Sequence, residues 1–315
     1  MTWRFEPAEG LRDAFRRVSA EEIAKVRAGL SGAEEERDEA IHEARQSFKR
    51  LRALVRLAKP PLGSDFAAEN RRWRDAGRLL SGSRDTTVLL KCFDAIAGDC
   101  AAEQSAHAVR RLRARLAGKT GNGGEHVEEK LREVLALLDD AEASMAELDW
   151  PNSRNALLHG FRRAQKRLRR DWKTACASGE PEALHSWRKR VKDQASQLRL
   201  FRNVVPAAFR KRIADQKATA EHLGDEHDLW LLSDRLRDES IPGSLFAARD
   251  ALLEQVEKHR GNLRKKAYRR GESFSSQKAR DFSEEIGLAW DKALAHLPKE
   301  LQRAKRPQST TSPQR

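Results

Sequence analysis

The feature that most constrains this chain is a basic helical stripe that occurs twice. In the first copy, AIHEARQSFKRLRALVRL at residues 40–57, basic side chains recur at spacings of three and four residues. On an α-helix, with about 3.6 residues per turn, these side chains fall within an arc of about 80°. Apolar side chains form a separate neighbouring face, so that face can be buried while the stripe runs along its flank. The stripe consists of His42, Arg45, Lys49, Arg52 and Arg56, and the apolar face of Ile41, Ala44, Phe48, Leu51 and Val55.

The second copy lies 143 residues further along, in ALHSWRKRVKDQASQLRLF at residues 183–201. The pattern His-x-x-Arg-x-x-x-Lys begins at His42 in the first copy and at His185 in the second. Ala195 stands where the first copy has Arg52, and the acidic Asp193 lies close by, so the repeat is imperfect. A solvated flank needs no particular basic residue at a particular turn, and the repetition therefore favours an anion-binding face. The second stripe is His185, Arg188, Lys192 and Arg199, beside an apolar face of Leu184, Trp187, Val191 and Leu198.

The net charge of the chain indicates what kind of partner it has. The 62 Lys and Arg residues outnumber the 48 Asp and Glu residues, which gives a net charge of +14. Hydrophobic residues make up 39% of the chain, enough for a packed core, so the chain is not a disordered polycation. The excess positive charge suggests nucleic acid, an anionic membrane surface or a phosphate polymer as partner. Composition alone does not choose among the three.

The cysteine count and the apolar segments indicate the compartment. Three cysteines occur in the 315 residues, and none forms a CxxC pair. This set argues against a disulfide framework and against a zinc site, and it is typical of a reducing cytoplasm. The N-terminus lacks the apolar core of a signal peptide, and no apolar run approaches the roughly 20 residues of a membrane span. We therefore expect a soluble, cytoplasmic protein.

Helical periodicity extends along almost the whole chain and predicts an all-α fold. Ser19 and Glu22 form a capping-box pattern, which predicts that a helix starts there. The segment CASGEPE at 176–182 is the expected boundary between half-repeats of about 33–178 and 182–298. Both would lie in one domain, 1–304, with N-terminal helices at 11–30 and a disordered tail at 305–315. The predicted helices are 11–17, 19–30, 34–58, 65–81, 83–116, 125–148, 153–177, 182–203, 207–223, 226–238, 244–271 and 278–296.

The repeat also includes a pair of acidic positions. Arg84-Asp85 and His227-Asp228 are again 143 residues apart. Each pair is predicted to open a helix, where the Asp carboxylate would stabilise the positive end of the helix macrodipole. The alternative is that each Asp orients a basic residue of the stripe. The first interpretation is the simpler one.

Patterns typical of enzymes are missing from the sequence. His42-Glu43 is not part of a zinc-protease HExxH motif, because Gln46 stands where the second His would be. GKTGNGG at 118–124 does not match a P-loop, and GxSxG does not occur. The acidic and histidine-rich stretch 221–228 has metal-ligand residue types, but its counterpart in the first half does not. We therefore expect no catalytic residues, no metal site and no cofactor.

The two half-repeats, each with a His-x-x-Arg-x-x-x-Lys helix followed by an (Arg/His)-Asp element, resemble the CHAD family of histidine-bearing α-helical domains over roughly residues 9–298. The resemblance implies two four-helix bundles related by pseudo-two-fold symmetry, with a basic central cleft or pore. It also implies binding of inorganic polyphosphate without catalysis, in the cytoplasm and at polyphosphate granules. The residues expected to face this ligand are His42, Arg45, Lys49, Arg52, Arg56, Arg71, Arg74, Arg163, Lys166, Arg170, His185, Arg188, Lys189, Lys192 and Arg199.

The chemistry of these side chains suits polyphosphate, a flexible polyanion with little shape to recognise. Arg binds phosphate oxygens through paired donors, Lys adds a point charge, and His donates when neutral and is a cation when protonated. For His42 and His185, the alternative is a buried histidine that is hydrogen-bonded to a backbone carbonyl. The alternative function is sequence-nonspecific nucleic-acid binding, which would extend the ligands to other phosphate-rich polyanions. No nucleic-acid-binding motif is recognisable, and aromatic residues are only 6% of the chain. The physiological role and the oligomeric state stay open.

Overall fold

The fold consists of α-helices joined by short turns. A computed structural model describes residues 3–6, 9–32, 34–80, 84–100, 106–118, 127–202, 209–238 and 241–296, without the side chains of 84–87 and 99–100. Within these ranges there is no strand, which confirms the predicted all-α class. The helices are α1 Leu11–Leu30, α2 Arg37–Leu57, α3 Lys59–Leu62, α4 Asp65–Leu79, α5 Arg84–Cys100, α6 Ala106–Gly118, α7 Val127–Glu147, α8 Arg154–Ser178, α9 Pro181–Leu200, α10 Arg210–Leu236, α11 Phe246–Ser275 and α12 Ala279–Ala295. Two short 3₁₀ turns precede α2 and α11.

The turn between α8 and α9 follows from local chemistry. Gly179 adopts the left-handed conformation, with φ of 65°, and its N–H donates to the carbonyl of Ala175 over 2.9 Å. Pro181 then occupies the first turn of α9, where its missing N–H costs nothing. At the other end of α8, the Ser153 hydroxyl accepts the N–H of Ala156 over 3.3 Å. These signals confirm the predicted ends of α8, although the division into half-repeats stays a prediction.

The helix start predicted at Ser19 is wrong. Helix α1 runs without interruption from Leu11 to Leu30, and Ser19 is buried within it, its hydroxyl donating to the carbonyl of Arg16 over 2.8 Å. Glu22 is also buried, and its carboxylate accepts a hydrogen bond from Arg50 of α2 over 2.8 Å. Burial of this face against α2 outweighs the local capping signal.

Two further boundary predictions are wrong. The sequence predicts separate helices at 207–223 and 226–238, but a single helix, α10, runs from Arg210 to Leu236. A Cβ at Gly224 would lie only 2.7 Å from Nη2 of Arg188, so glycine makes room for a guanidinium there instead of ending a helix. The predicted helix 83–116 consists of two helices, α5 and α6. Ser83, most of the turn at 118–124 and the tail at 305–315 lie outside the described residues.

The helices share three hydrophobic cores. The first joins α1, α2, α4 and α7 to α12, the start of α8 and the end of α9, and in it the ring of Phe48 stacks on Trp73 at a centroid distance of 5.8 Å. The second joins α8, α9, α10 and α11 around Trp187, which stacks on Tyr268 at 5.8 Å. The third joins α5 and α6 to the end of α10 and the start of α11. Helix α2 lies in the first core, whereas α9 contributes its beginning to the second core and its end to the first.

The two stripe helices also contact each other, and α8 packs against both. Nε2 of Gln197 in α9 donates to the carbonyl of Ala53 in α2 over 2.9 Å. About one turn later on α2, Arg56 donates to Asp193, which lies about one turn earlier than Gln197 on α9. Residue numbers rise on α2 as they fall on α9, so the two helices run antiparallel where they meet. We call this junction of α2, α8 and α9 the seam.

The positions of the helices follow the repeat. An offset of 143 carries α2 onto residues 180–200, which matches α9. The same offset carries α1 onto residues 154–173, inside α8, and α4 onto residues 208–222, largely inside α10. The correspondence of α1 with α8 extends the repeated pattern upstream of the predicted start at residue 33.

Candidate functional site

Cations from three helices meet at the seam. There are more Lys and Arg side chains here than carboxylates. Two of the arginines, Arg56 and Arg190, bond the same acid, Asp193. We call this group the seam cluster. It consists of Arg52 and Arg56 from α2, Arg167 from α8, Lys189 and Arg190 from α9, and the carboxylates Asp171 and Asp193.

The ion pairs of the seam cluster form a chain. Nη1 of Arg56 donates to both carboxylate oxygens of Asp193, over 2.8 and 2.6 Å. Arg190 links Asp193 to Asp171, donating through Nη1 over 3.4 Å and through Nε over 2.9 Å. Asp171 also accepts two hydrogen bonds from Arg170, whose side chain is 68% exposed. Each carboxylate therefore serves more than one guanidinium.

The remaining cations of the cluster lie close to other positive charges. Burial and, after it, the neighbouring positive charge of Arg56 lower the pKa of Arg52 to about 10. The pKa values of Arg167 and Lys189 are also lowered, first by burial and then by Arg190. Loss of hydration and mutual repulsion both disfavour these charged forms. An anion that entered the cluster would relieve both effects.

The stripe of α9 continues beyond the seam cluster through half-buried cations. Nε of Arg188 donates to the carbonyl of Ala220 over 3.1 Å. Burial lowers the pKa values of Arg188, Lys192 and Arg199, and Arg188 and Arg199 both repel Lys192, which lies between them. The stripe thus continues along α9 as Arg188, Lys192 and Arg199, with Ala195 in the place of a further cation.

The first interpretation of Asp228 is wrong, because this residue lies in the interior of α10 and not at a helix start. Its carboxylate, together with Asp225, favours the charged form of Arg188. This geometry agrees with the alternative, in which the Asp orients a basic residue of the stripe. The side chain of Asp85 lies outside the described residues.

The α2 stripe is positioned in a similar way at its N-terminal end. Nη1 of Arg45 donates to the carbonyl of Leu80, at the end of α4, over 3.4 Å. His42 is half-buried and Lys49 is exposed on the same helix. Each stripe therefore has an arginine that bonds a carbonyl of the helix packed beside it.

Two histidines stack on the α9 side of the site. The rings of His185 and His227 lie 4.6 Å apart at 32°, and His227 stacks on Trp230 at 5.5 Å. Nδ1 of each histidine is buried without a hydrogen-bond partner, so His185 does not match the alternative of a histidine satisfied by a carbonyl through that atom. Burial lowers the pKa of His185 to about 4, with a further contribution from Lys189, and it also lowers the pKa of His227. Both rings are neutral at pH 7.

Some candidates from the sequence lie at the edge of the site. Arg74 bonds the adjacent Asp75 over 2.8 Å, and its positive charge also contributes to the lowered pKa of Arg52. Arg71 and Lys166 are exposed, and Arg163 is half-buried on α8.

The sequence analysis missed Arg167 and Arg190, which lie inside the seam cluster. Arg167 follows the candidate Arg163 by four residues, so helical spacing could have indicated it. Arg190 lies on the opposite side of α9 from Arg188, at about 200° on a helical projection, and only the packing of α8 brings it into the site.

The described residues offer little for other chemistry. Among them, no group of three or more His, Cys, Asp or Glu side chains could hold a metal ion. Burial raises the pKa of Cys92 to about 11 and also raises that of Cys176, so neither is activated as a nucleophile. Within the same part of the chain, every helix is too short or too polar to cross a membrane.

Comparison with known proteins agrees with the pattern of the two stripes. No curated protein matches the chain. A family model, described as CHAD domain, matches residues 10–237. The matched segment is well over half of the 315 residues and contains both stripe helices and the seam. The chain therefore belongs to the CHAD-domain family.

Proposed function

We propose that this protein binds long-chain inorganic polyphosphate at the seam and along the two stripes, without catalysis. The observation that carries the proposal is the excess of cations in the seam cluster, where five Lys and Arg side chains share two carboxylates. Removing that many cations from water is unfavourable unless an anion compensates them. Membership of the CHAD-domain family supports the same ligand.

A polymer suits this site better than a small phosphate does. The α9 stripe from His185 to Arg199 extends about 21 Å at about 1.5 Å per residue, much longer than a single phosphate group. Contacts spread along one chain act together, because after the first contact the others are made at high effective concentration. Orthophosphate and ATP would use only a fraction of these contacts and would bind weakly.

The contacts at the seam support the proposal that the two halves are related by a pseudo-two-fold axis. Arg56 contacts Asp193, and the positions equivalent to them under the offset of 143 are Arg199 and Arg50. The charge of Arg50 is in turn the largest charge effect on Arg199. The interaction between Arg56 and Asp193 thus has a counterpart at the exchanged positions, as a two-fold relation between α2 and α9 requires. This arrangement supports the proposal of a basic central cleft with polyphosphate between the stripes.

No specific observation favours nucleic acid as the ligand. Trp73 and Trp187 are completely buried, and the half-buried Trp230 stacks on His227, so none of these rings forms an exposed platform for bases. Catalysis also finds no support, because Asp171 and Asp193 are occupied by arginines and are not arranged to hold Mg²⁺. A location in the cytoplasm and at polyphosphate granules stays a prediction.

A competition between two polyanions tests the proposal. Long-chain polyphosphate and duplex DNA of equal total charge are titrated against the protein over a range of salt concentrations. We expect polyphosphate to bind more tightly at physiological salt, with a log–log slope of about −0.7 for each neutralised phosphate. Equal affinity for DNA would contradict the proposal. Phosphate release in the presence of Mg²⁺ that copurifies with the protein would contradict its non-catalytic part.

A further inference from the structure

Asp193 is an unexpected residue at the centre of a site for anions. Its carboxylate bonds Arg56 over 2.6 Å and Arg190 over 3.4 Å. It also counteracts, through its charge, the depressed pKa values of cations on three helices. These are Arg52, Arg167, Lys189 and Lys192. One carboxylate therefore interacts with six cations.

The contact between Asp193 and Arg56 is well shielded from water. The two side chains are only 17% and 18% exposed, and the guanidinium nitrogen Nη1 of Arg56 reaches both carboxylate oxygens. A phosphate group offers the same kind of acceptor, an oxygen anion with a delocalised charge. The carboxylate thus occupies a position that a phosphate of the ligand could occupy.

The equivalent position in the other half has the opposite charge. An offset of 143 carries Arg50 onto Asp193, and Arg50 bonds the buried Glu22 of α1 instead of a residue of the stripe. The arginine of α9 that corresponds to Arg56 is Arg199. Among the described residues no carboxylate pairs with it, and Arg50 repels it. The scaffold does not require an acid at this place.

We propose that Asp193 is an internal competitor for polyphosphate: its carboxylate neutralises Arg56 in the free protein and must give up this arginine when a phosphate binds. The inference rests on the proposed function and concerns the regulation of affinity at the same site. Without Asp193, the seam cluster would attract anions more strongly and would be less stable when empty. Asp193 thereby lowers the affinity for polyphosphate and stabilises the unliganded fold.

The test is the variant Asp193→Asn, which keeps the size of the side chain and removes its charge. We expect polyphosphate affinity to rise about tenfold at physiological salt, because Arg56 becomes available and one negative charge leaves the site. The salt slope should become steeper by about 0.7, the contribution of one further phosphate contact. The melting temperature of the free variant should fall by about 5 °C, since a shielded ion pair has lost one partner.

The matched control is Glu133→Gln on α7, which gives the same net charge of +15 at an exposed position without an ion pair among the described residues. A rise in affinity confined to Asp193→Asn supports the inference. Equal effects of the two variants, or weaker binding by Asp193→Asn, would overturn it. If Asp193→Asn does not fold, Asp193→Ser makes the same charge change and leaves room for a water beside Arg56. If the unmodified protein binds polyphosphate and neither variant binds it more tightly, only this inference fails; if the unmodified protein does not bind, the proposed function fails as well.

Discussion

Helices α2 and α9 have a similar apolar face and a similar spacing of basic residues, but they differ in charge at two equivalent positions where they cross. From α2 come Arg52 and Arg56, the former held at a depressed pKa among other cations. At the positions equivalent to Arg52 and Arg50, α9 has the buried Ala195 and the acid Asp193. The comparison shows that apolar packing places the two helices, while the charge at each place is set independently.

A second difference lies in the helices that follow the stripes. After α2, helix α4 ends at Leu79 and α5 begins at Arg84, whereas after α9 the single helix α10 extends over 27 residues. Gly224 allows this continuation because the guanidinium of Arg188 fills the space beside it. The stripe of α9 is therefore more closely enclosed than the stripe of α2.

The largest expected effect comes from removing either stripe. Two triple variants to Gln are compared, one at Arg45, Lys49 and Arg52 and the other at Arg188, Lys189 and Lys192. Each should lose about 100-fold in polyphosphate affinity, since three charge-assisted contacts of about 1 kcal/mol each are removed. Affinity is measured by fluorescence titration at one fixed salt concentration.

The control for both triple variants is replacement of the exposed Arg132, Lys258 and Lys292 by Gln, which gives the same net charge of +11. A loss of polyphosphate affinity in only one of the two stripe variants would show that α2 and α9 do not contribute equally to binding. An equal loss in the control would show that the protein is a diffuse polycation without a defined site.

A smaller effect is expected from adding a methyl group at each of two glycines that pack tightly against the stripe helices. A Cβ at Gly160 would lie 2.1 Å from the carbonyl oxygen of Leu57 in α2, whereas one at Gly271 would meet the ring of Trp187 in α9 at 2.4 Å. Gly160→Ala should lower the free energy of unfolding by about 3 kcal/mol and Gly271→Ala by about 1–2 kcal/mol, because main chain yields less easily than a side chain. Urea denaturation measures both.

The polyphosphate affinities of the two glycine variants also test whether the binding site lies at the seam. Gly160→Ala pushes α8 away from α2 and should separate Arg167 from Arg56, so polyphosphate affinity should fall too. Gly271→Ala acts on the apolar side of α9, away from the stripe, and should leave affinity nearly unchanged. The reverse order of the two affinities would place the site elsewhere.

The smallest effect concerns pH and is specific to the second half. The pKa of His185 is lowered in the folded protein, to about 4, from the ordinary value of about 6.5. Below pH 6.5 the unfolded chain therefore takes up a proton that the folded protein refuses, and stability falls until pH 4. At pH 5 the loss is about 1 kcal/mol after discounting for partial exposure, with His227 acting in the same direction.

Thermal unfolding at pH 7 and pH 5 measures this dependence, and His185→Gln should reduce it. Bound polyphosphate should reduce it as well, since a nearby anion raises the pKa of the histidine. An unchanged pH dependence in His185→Gln would show that the stacked histidines are not the acid-sensitive element.

Much of the fold could be predicted from the sequence because its signals are local. The apolar spacing of α2 and α9, together with Gly179 and Pro181 at the turn between α8 and α9, fixes these helices to within a few residues. Ser19 misled the prediction because its role is tertiary: it is buried inside α1 instead of capping a helix. The break predicted between 223 and 226 is also absent, since Gly224 lies within α10 and makes room for a guanidinium.

The candidate site was predictable only on the helices that display the repeat. Arg52 and Arg56 belong to a visible pattern, whereas Arg167 and Arg190 join the site through the packing of α8 on α9. Asp193 is visible in the sequence as an interruption of the stripe, but its contact with Arg56 spans 137 residues. Long-range pairing of this kind depends on the crossing of two helices, which spacing along one helix does not contain.

The antiparallel crossing of α2 and α9 lies within one chain, and this differs from the same crossing in a symmetric dimer. Two identical chains that met on a two-fold axis would make every contact twice, so an acid facing Arg56 in one would have to face it in the other. A single chain that carries both helices is free of this restriction. It can keep Arg56 against Asp193 at one end of the seam and Arg199 against Arg50 at the other. In the proposed complex, a polyphosphate chain bound along the two stripes would therefore be held more tightly at one end than at the other.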